Sequence, residues 1–218
     1  MRGVFLRDIR LAMRSGGSWL LGLIFFILFL SLCGIAFGGK MATLTPLGIS
    51  LSWLAFIFSA LLAAPDIFRA DLADGSLEQF KLSRIGLTRY VAARLLSLCL
   101  LSFVPLIALT PLIGQFFGLD QSALIGLSLS LISGLPAIAI YTALSGALLC
   151  GRQNSGFFSI ILAAPLLIPI LIFGISAADS IPNIGIAAPE LRILLGLSLI
   201  AFGIGLPAII AALHANLE

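Results

Sequence analysis

The sequence predicts an all-α integral membrane protein with six transmembrane helices, and three observations support this fold class. First, 61% of the 218 residues are hydrophobic and only 10% are charged, whereas about a quarter of the residues of a soluble domain are charged. Second, the chain contains six long runs without a charged residue. Third, lysine and arginine are concentrated in the segments that would lie on one side of a membrane. No separate soluble domain fits between the apolar runs.

The six uncharged runs give the positions of the transmembrane helices. Each run exceeds the roughly 20 residues that a helix needs to cross the hydrocarbon core, where charged side chains are costly. The runs cover residues 15–39, 41–65, 95–119, 121–151, 153–178 and 193–217. Around these runs we predict spans at residues 18–37, 44–64, 91–116, 123–149, 156–176 and 193–213. The whole chain, residues 1–218, is therefore expected to form one transmembrane domain.

The basic residues predict how the spans are oriented. With the N-terminus inside, only Lys40 and Arg192 of the 12 lysines and arginines face outward. The others are Arg2, Arg7, Arg10, Arg14, Arg69, Lys81, Arg84, Arg89, Arg94 and Arg152. Because cytoplasmic loops are enriched in lysine and arginine, we expect both termini to be cytoplasmic. The segment between the second and third spans should lie on the same side.

Residues 1–14, "MRGVFLRDIRLAMR", have an amphipathic pattern. On a helical wheel Arg7, Arg10 and Arg14 share one face, and apolar side chains occupy the opposite face. This pattern is typical of a helix that lies in the membrane interface. The alternative is a basic tail that only follows the distribution of charge expected for cytoplasmic segments. We predict the interfacial helix.

The stretch "DLADGSLEQFKLSR", residues 71–84, is the most unusual part of the chain because it places acids and bases between two apolar spans. Asp74 and Gly75 are typical turn residues. Ser76 and Gln79 have the spacing of a capping box, which satisfies backbone groups at the start of a helix. We therefore predict a turn followed by a short helix.

The short helix is expected to begin near Leu77 and to have two different faces. Leu77 and Phe80 give it an apolar side, whereas Glu78 and Lys81 give it a charged side. Glu78 lies in the first turn, where the helix dipole favours an anion. This pattern is that of a small docking helix, and the alternative is a solvated loop, since inner loops are commonly charged.

A magnesium site is a further alternative for the same stretch. Asp71, Asp74 and Glu78 are spaced by three and four residues, so on one helix they could share a face and hold Mg²⁺, as in membrane-bound lipid transferases. Two features argue against it. Gly75 is expected to interrupt the helix, and no second acidic cluster is predicted on that side of the membrane.

Prolines in the fifth span raise the possibility of a moving helix. Pro165 and Pro169 in "PLLIPILIFG" each remove a backbone donor and can kink the helix, so they are candidate gating residues. An autonomous secondary transporter is the alternative function that such kinks suggest. It would be expected to have polar or charged groups at mid-membrane, and the spans offer almost none.

The sequence contains no strong sign of catalysis or of a bound cofactor. "GIAFGGKM", residues 34–41, fits a phosphate-binding pattern, but Met41 replaces the required Ser or Thr, and no strand precedes it. His214 is the single histidine, and nothing pairs with it to hold a metal or haem iron. We therefore expect a non-catalytic chain that itself binds no ATP, metal or haem.

Together the basic start, the six spans, "RADLADGSLEQFKLSR" in the inner loop and "PLLIPILIFG" in the fifth span resemble the haem exporter protein B family (CcmB). Members of this family are membrane subunits of an ABC transporter complex in cytochrome c maturation. The resemblance covers essentially the whole chain. It implies an ABC-2-type transmembrane domain in the bacterial inner membrane and a permease subunit for haem export or haem delivery.

The resemblance also implies partners and a site. The partners are an ATPase subunit (CcmA-like), a haem-handling membrane protein (CcmC-like) and a small accessory membrane protein (CcmD-like), with two copies of this chain in the complex. ATP and Mg²⁺ would bind the ATPase, and the complex would either export haem or release a haem-loaded periplasmic chaperone. The short helix between the second and third spans would dock into the ATPase and transmit its movement. The implied coupling residues are Asp71, Asp74, Gly75, Ser76, Leu77, Glu78, Gln79 and Phe80.

Overall fold

The computed structural model describes residues 18–63, 67–82, 86–151 and 155–217, and every regular element in these ranges is helical. Short 3-10 or π-helical segments join some of the α-helices. The α-helices are α1 Ser18–Ala36, α2 Met41–Leu44, α3 Gly48–Ala63, α4 Arg69–Ala73, α5 Ser76–Leu82, α6 Gly86–Leu98, α7 Val104–Ala108, α8 Thr110–Phe117, α9 Gln121–Leu148, α10 Ser155–Ile184, α11 Pro189–Ile200 and α12 Leu206–Ala215. The predicted all-α fold class is confirmed for these ranges.

Within the residues that the structure describes, five stretches of helix are long and apolar enough to cross a membrane. They are Met41–Leu62, Gly86–Phe117, Gln121–Leu148, Phe157–Ala187 and Pro189–Ala215. A further apolar helix, Leu20–Ala36, is shorter. These six helices occur in the predicted order, so the protein is a multi-pass helical membrane protein by the length and composition of its helices.

The fifth predicted span differs most from the structure at its C-terminal end. We expected this span to end at residue 176, but helix α10 continues to Ile184. The extended part of α10 packs closely on α9, since a side chain at Gly126 would collide with the Ala178 carbonyl. The residues after 176 thus belong to the packed bundle.

Helix α9 occupies the centre of the bundle. The fully buried Trp53 of α3 lies between α9 and α10, where Gly134 and Gly174 leave room for its ring. The Trp53 indole nitrogen donates a hydrogen bond to the Ser130 hydroxyl of α9 at 3.1 Å. Trp53 is thus a packing residue that joins three helices.

The connection between α8 and α9 is short because each helix has a suitable end. Gly118 has a positive φ of 65° and ends α8 in the left-handed conformation, which glycine adopts without strain. Asp120 caps α9 by accepting a hydrogen bond from the Ala123 amide at 3.2 Å. Hydrogen bonds from the Ser122 hydroxyl and from this amide lower the pKa of the Asp120 carboxyl. The carboxylate form is therefore the one that caps α9.

Two spans contain a π-helical segment close to a proline. Helix α10 is one continuous α-helix that includes Pro165 and Pro169, both exposed. By contrast, π-helical segments at Cys99–Phe103 and Ala201–Gly205 interrupt two other spans. A proline follows closely in each case, at the start of α7 and of α12. Gating by Pro165 and Pro169 remains a prediction.

Candidate functional site

The charged segment, which we define as residues 67–82, contains two short helices joined by a tight turn. Gly75 lies in the turn with a φ of 74°. Asp74 Oδ1 accepts hydrogen bonds from the Ser76 amide, at 2.9 Å, and from the Ser76 hydroxyl. The Gln79 amide donates to the Gly75 carbonyl at 3.4 Å. The predicted short helix is confirmed, and Asp74 rather than Ser76 provides the side-chain cap at its start.

The apolar side of the segment packs against the protein itself. Leu77 is 0% exposed, and Phe68 is equally buried. The Phe80 ring stacks on the Tyr90 ring of α6, with 4.7 Å between centroids and 26° between planes. Leu77 and Phe80 were predicted to form the docking side of the helix. The structure instead buries Leu77 within the protein and stacks Phe80 on Tyr90 of α6, because burying apolar surface within the chain is favourable.

A buried charge pair joins the segment to the same helix. Asp71 of α4 is only 3% exposed, and its Oδ2 lies 3.0 Å from Arg94 Nη2 of α6. The Tyr90 hydroxyl donates to the same oxygen at 2.5 Å, and Arg94 Nη2 also donates to the Ile67 carbonyl at 2.6 Å. We call this arrangement of Asp71, Tyr90 and Arg94 the clamp.

Tyr90 and Arg94 were not among the predicted site residues. Two signals were present in the sequence. Arg94 is the last charge before the uncharged run 95–119, so its guanidinium lies at the edge of an apolar region. Tyr90 precedes it by four residues, which places both side chains on one face of a helix. Only the fold, however, brings Asp71 to that face.

The other side of the charged segment is exposed. Asp74, Glu78 and Gln79 all belong to the exposed class, whereas Gly75 and Ser76 are half-buried. The predicted coupling residues therefore separate into two groups. Asp71, Leu77 and Phe80 face the protein, and Asp74, Glu78 and Gln79 remain accessible to another molecule.

The geometry does not support the magnesium alternative. The Asp71 carboxylate faces Arg94 and Tyr90 in the clamp, and it is buried while Asp74 and Glu78 are exposed. Within the ranges that the structure describes, no group of three or more His, Cys, Asp or Glu side chains could hold a metal ion. The three acids of the segment are thus not assembled into a site for Mg²⁺.

The remaining predicted residues lie elsewhere. Arg7, Arg10 and Arg14 fall outside the described residues, so the predicted interfacial helix stays a prediction. His214 is exposed near the C-terminal end of α12. Pro165 lies on α10, far along the chain from the charged segment.

The structure defines a multi-pass membrane protein made of apolar helices. The charged segment between its second and third spans is a structured loop, which the clamp fixes to α6. Comparison with known proteins defines the protein further. Residues 1–216 match the family model described as CcmB protein. The chain belongs to the CcmB family, which confirms the resemblance seen in the sequence.

Three relatives show how far the similarity extends, and each is described as heme exporter protein B. The protein of Bradyrhizobium diazoefficiens is 36% identical over 214 residues, covering 97% of this chain and 96% of the relative. That of Haemophilus influenzae is 32% identical over 215 residues, covering 97% and 96%. That of Escherichia coli K12 is 32% identical over 177 residues, covering 81% and 80%.

Proposed function

We propose that this chain is the membrane permease subunit of a haem-export complex in the bacterial inner membrane, acting in the biogenesis of c-type cytochromes. Membership of the CcmB family and the description of its relatives as heme exporter protein B support this function. The chain itself is non-catalytic. A CcmA-like partner hydrolyses ATP, and the charged segment receives the resulting movement.

The observation that carries this proposal is the form of the charged segment. A simple connector between two spans has no need of two helices, a capped turn and a buried charge pair. Here one side of the segment is fixed to α6, and the other presents Asp74, Glu78 and Gln79 to solvent. A rigid segment with an exposed polar face is suited to contact a soluble partner, because little conformational entropy is lost on binding.

The proposed topology has six spans with both termini in the cytoplasm. Helix α1 is 19 residues long, which lies within the range of about 17–25 residues found for membrane-crossing helices. The distribution of lysine and arginine supports a cytoplasmic position for the charged segment, where a soluble ATPase could reach it.

Haem is handled by other members of the complex in this proposal. A CcmC-like protein holds the haem, a CcmD-like protein accompanies it, and two copies of this chain contribute movement. His214, the single histidine, is exposed near the end of α12, and an axial haem ligand usually needs a shaped pocket around it. Replacing His214 by alanine should leave cytochrome c maturation close to that of the wild type.

The experiment that tests the proposal is co-purification with the co-expressed CcmA-like ATPase. The double variant Glu78→Lys/Gln79→Lys changes the exposed face without touching the clamp, and we expect it to retain about ten-fold less ATPase, as for substitutions at an interface centre. Gln121→Lys is the matched control, because Gln121 is also exposed but begins α9 at the opposite end of the bundle. Full retention by the double variant, or no retention by the wild type, would contradict the proposal.

A further inference from the structure

We infer that Asp71, Tyr90 and Arg94 are positioning residues that join the charged segment and helix α6 into one rigid unit, so that a partner that displaces the segment moves the third span. This inference rests on the proposed function, since it describes how the movement of an ATPase would enter the membrane. Arg94 is the most important of the three residues, because one nitrogen of its guanidinium contacts the segment at two positions.

Side chains on a single face of α6 contact the segment near both of its ends. Arg94 Nη2 reaches Asp71 Oδ2 at 3.0 Å and the Ile67 carbonyl at 2.6 Å. One turn earlier, Tyr90 donates to Asp71 at 2.5 Å, while its ring stacks on Phe80 of α5. Both short helices of the segment are therefore fixed to the same two side chains of α6.

The polar contacts of the clamp fix the position of the segment on α6, which apolar contacts alone would not do. Replacing a buried ion pair by apolar residues of similar volume is often neutral or stabilising, so stability alone does not account for charges at this position. Apolar contacts are non-directional, and two surfaces joined only by them can slide. Hydrogen bonds weaken steeply when their angle changes. The clamp therefore holds the segment at one register on α6.

Arg94 lies only a few residues before an irregular part of the third span. Helix α6 ends at Leu98 and is followed directly by the π-helical segment Cys99–Phe103. Pro105 lies just beyond, at the start of α7. Helices bend most readily at prolines and π-bulges, and π-bulges often occur at functional sites. The rigid unit thus adjoins the place where the third span can bend.

The decisive comparison is between Arg94→Gln and Arg89→Gln. Arg89 lies on the same helix but is exposed, so the control removes the same charge without altering the clamp. Arg94→Gln should lower cytochrome c maturation by about ten-fold. The amount of ATPase that co-purifies with each amount of this protein should stay within about two-fold of wild type, because the exposed docking face is unchanged. Arg89→Gln should change neither quantity. Normal maturation in Arg94→Gln, or a loss of maturation that only follows a loss of bound ATPase, would overturn the inference.

A second measurement does not depend on the ATPase, so it separates this inference from the proposed function. Hydrogen–deuterium exchange is followed in residues 67–82 of the purified, full-length protein. Arg94→Gln and the milder Tyr90→Phe, which keeps the stacked ring, should speed exchange in this segment by about ten-fold or more, as expected when a local contact is lost. Arg89→Gln should not. Equal exchange rates in all variants would refute the clamp, whether or not an ATPase binds.

Discussion

The charged segment and helix α9 are both held in the molecule by buried polar contacts, but the contacts differ in kind. The segment depends on the ion pair between Asp71 and Arg94. Helix α9 depends on several neutral hydrogen bonds to other helices. These are Trp53 to Ser130, Ser128 to Thr110, Ser198 to the Ser133 carbonyl, and Ser159 to Ser145.

The difference follows from where each contact lies. A hydrogen bond between spans contributes on average about 0.6 kcal/mol, because the separated helices also satisfy their polar groups. Ser130 illustrates this, since its hydroxyl also donates to the Leu127 carbonyl of its own helix. Removing one member of a buried ion pair costs about 3–5 kcal/mol, because a charge is left in a desolvated site. The cost of losing a single polar partner is therefore small in the bundle and large at the segment.

The largest effect is expected from breaking the clamp. Asp71→Asn should lower the free energy of unfolding by about 3 kcal/mol, since the partly buried guanidinium of Arg94 then faces an uncharged amide. The double variant Asp71→Asn/Arg94→Gln should recover at least about 1 kcal/mol of that loss, because neither charge remains. Denaturant unfolding of the detergent-solubilised protein measures both values. Strict additivity of the two substitutions would show that the side chains are not coupled.

A smaller effect is expected from Gly174→Ala, which disturbs apolar packing in the bundle. A methyl group at Gly174 would collide with the Trp53 ring, and such overpacking costs about 1–3 kcal/mol. Gly196→Ala is the matched control, because nothing lies within 4 Å of its added carbon. The control should be neutral or more stable by up to about 1 kcal/mol through helix propensity. Thermal unfolding in detergent distinguishes the two, and equal midpoints would contradict the packing described for Trp53.

The smallest effect is expected from Ser130→Ala, which removes one neutral contact of α9. The loss should be about 0.6 kcal/mol. Ser31→Ala provides a comparison, because the exposed Ser31 hydroxyl donates to the Ile27 carbonyl within α1, and its removal should cost less. If Ser130→Ala destabilised the protein as much as Asp71→Asn, the contrast between the polar contacts of the bundle and those of the segment would be wrong.

The positions of the helices could be predicted from the sequence, but the directions in which their side chains face could not. The apolar runs predicted the order of the membrane helices because charge is excluded from the hydrocarbon core. The turn residues predicted a short helix near Leu77 because Asp74 and Gly75 act locally. Both predictions depend on neighbouring residues alone, and the structure agrees with both.

The features that could not be predicted depend on distant residues. Asp71 was expected to be a coupling residue, yet it is buried beside Arg94, which follows in another helix. Leu77 was interpreted as a docking residue because the sequence alone does not show that it is buried. Its burial against this chain appears only in the folded structure. The extended part of α10 lies in close contact with Gly126 of α9. In each case the missing information was a tertiary contact.

The most direct test of the account is site-specific photocrosslinking in cells. A photoreactive amino acid at Gln79, on the exposed face of the charged segment, should form a crosslink to the CcmA-like ATPase, identified by mass spectrometry. The same group at Gln121 should not, because α9 begins at the other end of the bundle. Crosslinks to the ATPase from Gln121 but none from Gln79 would contradict both the proposed orientation and the assignment of the charged segment as the contact with the ATPase.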